Sequence, residues 1–173
     1  MGIGNIICVQ QYHAPCGDLW LGSLGDRLCL CNWVLEKHPG RVDRRLQLLL
    51  KAVYKEEATE VVREAAAQLD EYFRRERTVF SIPLLLAGTD FQESVWRKLA
   101  EVPYGQTVSY GEMAQQLGVP KAVRAVANAN GANALSIFLP CHRVVGSNRS
   151  LTGYGGGLEA KKFLLELEKQ GKK

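Results

Sequence analysis

Cys141, His142 and Arg143 stand together in the run L-P-C-H-R-V-V at 139–145. A cysteine attacks as its thiolate, and cations beside it lower the thiol pKa. His142 and Arg143 both raise the local positive potential, so the expectation is an activated nucleophile at Cys141. Pro140 fixes its own φ and carries no N–H, which predicts that an apolar strand over 135–139 stops there and presents Cys141 just past its end. For an arbitrary Cys-His pair, an inert buried thiol is the commoner case. The surroundings of this pair reverse that preference.

Those surroundings are helical. Phe91, Val95, Trp96 and Leu99 recur at helical steps, and Pro103 and Gly105 end that segment. Ser109 predicts an N-cap and Glu112 its capping-box partner, for a helix that runs to Leu117 and stops at Gly118. Pro120 predicts the start of the next helix, continued over 121–130. Helix, short glycine turn, helix is the layout of a helix-turn-helix unit. Its second helix reads K-A-V-R-A-V-A-N-A-N, with Val123 and Val126 facing inward and Arg124 the only long charged side chain after Lys121. A major-groove reader offers several long polar side chains to base edges, whereas an alanine face suits a surface such as the minor groove, about 6 Å wide. An ordinary packed alanine helix fits the same letters equally well. A glycine-rich loop at 153–157 and a last helix over 158–169 close the chain.

The first half reads differently. Strands are expected at 6–9, 19–21 and 28–34, with Gly17, Gly22 and Gly25 as turn signals. Residues 40–55 predict a short helix, 59–75 a longer one, and 80–86 an edge strand marked by Pro83. This order is that of a small α/β or α+β unit. Gly88-Thr89-Asp90 is the expected joint, giving domains over 1–88 and 89–173. Cys29 and Cys31 lie two apart and so are expected on one strand face. With Cys8, Cys16, His13 and His38 they match no compact zinc spacing, and no metal is expected.

Lys plus Arg number 22 and Asp plus Glu 18, for a net charge of +4. Residues 1–88 hold 11 basic and 11 acidic side chains and residues 89–173 hold 11 and 7, so the second half carries the whole excess. That is a modest pointer to a polyanionic partner, and a solvated lysine-rich tail gives the same count. No apolar run is long enough to span a bilayer, no signal-peptide pattern is visible, and Met1-Gly2 lacks the Ser or Thr at position 6 that acylation needs. Five cysteines, an odd number, point to a reducing cytoplasmic setting with free thiols.

The motifs E-Y-F at 71–73, F-x-x-P-L at 80–84, G-T-x-F-Q-x-x-V-W at 88–96 and P-Y-G-Q-T-V-S-Y-G-E at 103–112 run in order along the chain. R-A-V at 124–126, A-N at 132–133, I-F-L-P-C-H-R-V-V at 137–145, G-Y-x-G-G at 153–157 and K-x-F-L-L-x-x-E at 161–168 continue the series. With them the chain resembles the O6-alkylguanine-DNA alkyltransferases, or methylated-DNA–protein-cysteine methyltransferases. The match is dense over 69–168 and loose over the first sixty residues. The resemblance implies an RNase H-like sheet-and-helix domain followed by a winged helix-turn-helix domain. It implies a nucleoid-associated monomer that needs no cofactor and no obligate protein partner, and that acts on double-stranded DNA containing alkylated guanine.

In that reading the damaged base, O6-alkylguanine and also O4-alkylthymine, is flipped into a pocket and its alkyl group passes irreversibly to Cys141. His142 is the water-mediated base for the thiol and Glu168 orients it. Asn133 is the hinge to the recognition helix, and Tyr110 promotes flipping and donates to the base. Arg124 is the finger that fills the vacated position, with Lys121, Ala122, Ala125 and Ser147 on the DNA face. Val144, Tyr154, Gly155 and Gly156 form the pocket, whose glycine loop is expected to be small and mobile. Gly131 stands where some relatives carry a second basic side chain, so fewer phosphate contacts are expected. A regulatory DNA-binding module would leave Cys141, His142 and Glu168 without a purpose. A cysteine hydrolase would need an oxyanion hole that nothing in the sequence supplies.

Overall fold

Largely apolar strands build a meander from β1 (Asn5–Ala14), β2 (Gly17–Leu24) and β3 (Arg27–Trp33), the last buried along its length from Leu28 to Trp33. The β2–β3 connection is the two-residue loop Gly25-Asp26, and Gly25 takes the positive φ of 62° that such a tight hairpin requires at its first position. Residues 4–173 are described in this computed structural model, so Met1, Gly2 and Ile3 lie outside the described residues. Helix α1 (Arg41–Leu50) follows, and then a strand that the sequence did not signal, β4 (Ala52–Glu56). The leucine run 46, 48, 49 and 50 hides the switch from helix to strand. Lys51 makes it, with a left-handed φ of 51° that stops α1. β4 pairs parallel with β1, for a sheet order of β3-β2-β1-β4.

Two core clusters flank this sheet. Val42 and Leu46 of α1 pack with Ile7, Val9, Cys29 and Leu30. Val62, Ala65, Leu69 and Tyr72 of α2 (Glu60–Phe73) pack with Leu19, Leu21, Leu28, Cys31 and Trp33. Cys29 and Cys31 are therefore not on one face. The register shifts between Gly22 and Ser23, which pair with Leu30 and Leu28, so Cys29 is the extra residue of a bulge and its neighbours change sides.

The second half begins with α3 (Asp90–Leu99), entered through a capping box of Thr89 and Gln92. A two-strand parallel pairing joins β5 (Val108–Ser109) to β6 (Val144–Val145). The expected capping box of Ser109 and Glu112 opens α4 (Tyr110–Gln116), with both reciprocal bonds at 3.0 Å. Helix α5 (Val123–Gly131) starts later than Pro120 predicted, because residues 120–122 form a turn closed by Ala122 N–H to Val119 O. That rotates Val123 outward to 38% exposure while Val126 is fully buried. Helix α6 (Leu158–Gln170) is last. Buried residues of α3, α5 and α6 join the same cluster as β2, β3 and α2, so a continuous core runs through both halves.

Two expected strands are absent. Over 80–86 only Leu84 bridges the sheet, beside Leu28. Leu28 N–H reaches Pro83 O and Leu85 N–H reaches Leu28 O, but Pro83 has no N–H with which to extend a ladder. Over 135–139 the chain turns back on itself. Leu139 N–H bonds to Leu135 O, Phe138 N–H bonds to Ser136 O, and Ile137 sits at a φ of 74°. The run is apolar because it is buried, not because it is extended.

Candidate active site

Cys141 opens a single 3-10 turn, Cys141–Arg143, rather than ending a strand. Its N–H bonds to Leu139 O at 2.7 Å across Pro140, a three-residue turn that aims the side chain inward. Asn133 holds the approach: its Nδ2 donates to Leu139 O and its Oδ1 accepts from Leu135 N–H, both at 2.9 Å. Cys141 is 5% exposed. Burial raises its pKa, and the hydrogen bond from Asn133, the charge of Lys161 and the Ser136 hydroxyl offset only part of that. The sequence expectation of a thiol acidified by His142 and Arg143 is thus reversed.

The reason lies in Glu168, 2% exposed on α6. Arg143 does not face the sulfur; it forms a two-pronged ion pair with this carboxylate, Nε to Oε1 at 2.8 Å and Nη2 to Oε2 at 3.0 Å. His142 Nε2 lies 2.6 Å from Oε2, Tyr72 donates its hydroxyl to the same oxygen at 2.6 Å, and Gly105 N–H reaches Oε1 at 3.2 Å. Burial alone would raise the Glu168 carboxyl, but the hydrogen bond from His142, followed by the hydrogen bonds and charge of Arg143, holds it well below its ordinary value. An ionised carboxylate only accepts, so the imidazole nitrogen facing it carries the hydrogen. Burial also lowers the His142 pKa and keeps the ring neutral, against the opposing pull of Glu168. Nδ1 is therefore left as a lone-pair acceptor, and it has no partner among the described residues. A neutral imidazole fixed by a carboxylate, next in sequence to a buried thiol, can take up a proton as the sulfur bonds to an electrophile.

Beside Cys141 is a cavity of about 320 Å³, also lined by Tyr110, Asn130, Asn133, Tyr154 and Gly155. Tyr110 donates weakly to Thr152 O at 3.5 Å, and Tyr154 packs edge-on against Trp33 with ring centroids 5.8 Å apart. Two expected pocket residues play other parts. Val144 is fully buried in the β5–β6 pairing and does not line the cavity. Gly156 also stands outside the lining; a Cβ there would lie 2.6 Å from the Trp33 indole, so its lack of a side chain is set by close packing rather than by a need for mobility. The loop itself is anchored by Lys161, which is fully buried and donates to Val144 O and Thr152 O at 2.7 Å and to Gly153 O at 3.4 Å. Burial depresses its ammonium to about 8.

Helix α5 borders the cavity mouth through Ala127, Asn128, Asn130 and Gly131. Arg124 is exposed and stands three, four and seven residues before Ala127, Asn128 and Gly131, so it continues their face away from the mouth. Lys121, Ala125 and Ser147 are exposed and Ala122 half-buried. The far end of α5 is pinned by Trp96 Nε1–H to Ala129 O at 2.8 Å and by Arg45 of α1 to Ala132 O. Lys37, His38 and Arg41 of the first half of the chain also line the cavity.

Sequence reasoning missed Tyr72, Asn130, Lys161, Arg45 and the true partner of Arg143. Tyr72 and Lys161 fall inside the quoted motifs E-Y-F and K-x-F-L-L-x-x-E, which is the one signal that pointed to them. Cys8, Cys16, Cys29 and Cys31 are free thiols, and no cluster of three metal-ligating side chains occurs among the described residues. No described helix is long and apolar enough to cross a membrane.

Residues 90–170 match the family model described as 6-O-methylguanine DNA methyltransferase, DNA binding domain. A Haemophilus influenzae protein named methylated-DNA–protein-cysteine methyltransferase is 49% identical over 159 residues, covering 91% of this chain and 84% of the relative. A Mycobacterium tuberculosis protein of the same name is 56% identical over 105 residues, which are 61% of this chain; the chain thus spans 64% of that relative's length. Among solved structures, the Mycobacterium tuberculosis OGT in complex with DNA superimposes with a TM-score of 0.80 at 41% identity, over 94% of this chain and 92% of that one.

Proposed function

The chain belongs to the methylated-DNA–protein-cysteine methyltransferase family, and from that premise we propose that it repairs alkylated DNA by taking the alkyl group onto Cys141. The observation that carries the proposal is the buried Cys141 side chain opening on a cavity, with the neutral ring of His142, the next residue in the chain, fixed by Glu168. O6-alkylguanine, and O4-alkylthymine with it, enters that cavity only if it leaves the helical stack, since its reacting carbon is otherwise enclosed. Cys141 Sγ then bonds to the alkyl carbon as the carbon–oxygen bond breaks. The thiol proton passes through a bridging water to His142 Nδ1, and the restored base takes a proton from the Tyr110 side. The product is a thioether, which has no acidic hydrogen and is a poor leaving group, so each molecule acts once.

The partner is double-stranded DNA. Arg124, projecting from the cavity mouth, fills the gap left by the flipped base, and Lys121, Ala122, Ala125 and Ser147 lie along the duplex. Tyr154 and Gly155 wall the base, while Val144 and Gly156 support that wall from behind. Asn133 links α5 to the Cys141 turn. The sheet order β3-β2-β1-β4 supports an RNase H-like first domain, 1–88, and the α4–α5 pair with the β5–β6 pairing supports a winged helix-turn-helix domain, 89–173. The protein works as a cytoplasmic, nucleoid-associated monomer.

Intact mass after incubation with a duplex containing O6-methylguanine tests this reading. One added methyl group per chain, absent in Cys141→Ser, is the expected result, because a serine hydroxyl is a far poorer nucleophile at neutral pH. Methyl found on Cys8, Cys16, Cys29 or Cys31, or full transfer in the serine variant, would refute it.

A further inference from the structure

We propose that Asn130 is a specificity-determining residue of the cavity, whose side-chain carbonyl selects bases that carry an exocyclic amino group. This rests on the cavity being the seat of the flipped base. Asn130 lines it together with Cys141 and Tyr110 and is 4% exposed. Its Nδ2 donates toward Cys141 O at 3.5 Å, which turns Oδ1 away from that carbonyl. Oδ1 is buried and has no partner among the described residues. The other asparagine of the lining differs: Asn133 has both amide atoms engaged with backbone. Asn130 also cannot swing aside freely, because α5 is pinned on either side of it through Ala129 O and Ala132 O.

A buried acceptor left unpaired is costly, and a ligand that brings an N–H to it removes that cost. The two lesion classes differ in this respect. Alkylation at O6 strips the ring N1 hydrogen from guanine, so the 2-amino group is the donor left on the base. Alkylation at O4 strips the N3 hydrogen from thymine, and no N–H remains. A site built to bond a substrate N–H rejects an analogue lacking it, because its own polar group stays unpaired. Asn130 therefore favours alkylguanine over alkylthymine, and does so through the amino group rather than through ring size.

Three duplexes of one sequence decide this, carrying O6-methylguanine, O6-methylhypoxanthine or O4-methylthymine. Methylhypoxanthine differs from methylguanine only by lacking the amino group. The second-order rate of methyl transfer to Cys141 is measured for each by intact mass. The expected wild-type ratio of methylguanine to methylhypoxanthine is roughly 5- to 150-fold, the span of one unmade buried hydrogen bond. In Asn130→Leu and Asn130→Ala the ratio should collapse toward one, chiefly through slower methylguanine transfer. Because the readout is a ratio, a general loss of activity cancels. A wild-type ratio near one overturns the proposal without any variant, and so does a large ratio that survives both substitutions. No transfer from any of the three substrates is a separate outcome: it removes the reading of the cavity itself, and the role of Asn130 with it.

Discussion

Glu168 accepts hydrogens from four residues at once, and its neighbour His142 is kept neutral by burial, so the pair is sensitive to acid in two stages. His142 has a folded pKa below its unfolded value of about 6.5. The unfolded chain therefore binds a proton that the folded chain refuses, and stability declines as pH falls below about 6.5. Glu168 has its folded pKa depressed too, so its stabilisation is complete above an unfolded value of about 4.3 and is lost as pH falls through the folded one. Urea unfolding at pH 7 and pH 5.5 should show the first stage. The wild type should lose up to about 1 kcal/mol, and His142→Gln should lose less across the same interval. On the proposed mechanism the same neutral ring sets the acid limb of alkyl transfer, whose midpoint should lie below about pH 6.5. A midpoint at or above that value would mean that His142 does not take the proton. At the alkaline side, the raised Cys141 pKa makes the thiol, not a standing thiolate, the resting form at neutral pH, and on the proposed mechanism its proton leaves during attack.

At the scale of elements, α5 carries the exposed Arg124 and α6 the Glu168 carboxylate, and the first half of the chain fastens both. Arg45 of α1 donates to Ala132 O at the C-terminal end of α5 and lies over the Trp96 ring, 5.5 Å from its centroid. Arg75, just past α2, donates to Gly171 O and Gln170 O at the end of α6. A cation at a helix C-terminus stabilises it, and stacking on tryptophan adds to that, so Arg45→Met should lower unfolding free energy by about 1–2 kcal/mol in urea. No change would mean that α5 does not depend on α1. Arg124→Ala should act differently, leaving stability within about 0.5 kcal/mol because the side chain is exposed. It should slow repair of a duplex strongly and reaction with free O6-benzylguanine little; equal losses on both substrates would mean that Arg124 shapes the pocket.

Elements with local signals were legible in the sequence: the Ser109–Glu112 box, the periodicity of α2 and α3, and the first three strands. β4, the bulge at Cys29 and the turn at 135–139 were not, because each is decided by what packs against it rather than by its own letters. The same holds inside the site. Cys141 and His142 are adjacent and readable, and Glu168 came into view only through a motif that places it. That Arg143 would spend its charge on Glu168, 25 residues away, and that Tyr72 would reach across 96 residues to the same oxygen, no local pattern could show.

Across the whole molecule the buried residues around Cys141 belong to the same core as the sheet and α2, so a disturbance at the sulfur is not confined to the second half. Alkylation adds at least one carbon to the sulfur of a buried residue, close to Asn133, Ser136 and the 135–139 turn. That turn already holds a β-branched residue, Ile137, at a φ of 74°, where an L side chain is strained. It has little freedom to yield by a further backbone shift, and Asn133, which holds it, stands just past the end of α5. Overpacking a core typically costs about 1–3 kcal/mol, and for a chain of this length each kcal/mol moves Tm by about 2–4 °C. The alkylated protein should therefore melt roughly 2–12 °C below the free one. Benzyl should produce the larger drop, since the cavity beside the sulfur takes up a methyl more readily than a ring. Thermal melts after complete reaction with O6-methylguanine or O6-benzylguanine measure both effects. An unchanged or higher Tm with benzyl would show that the cavity absorbs the adduct as it would a ligand. Coupling between the sulfur and the rest of the core would then be absent, while single turnover, which follows from the thioether alone, would stand.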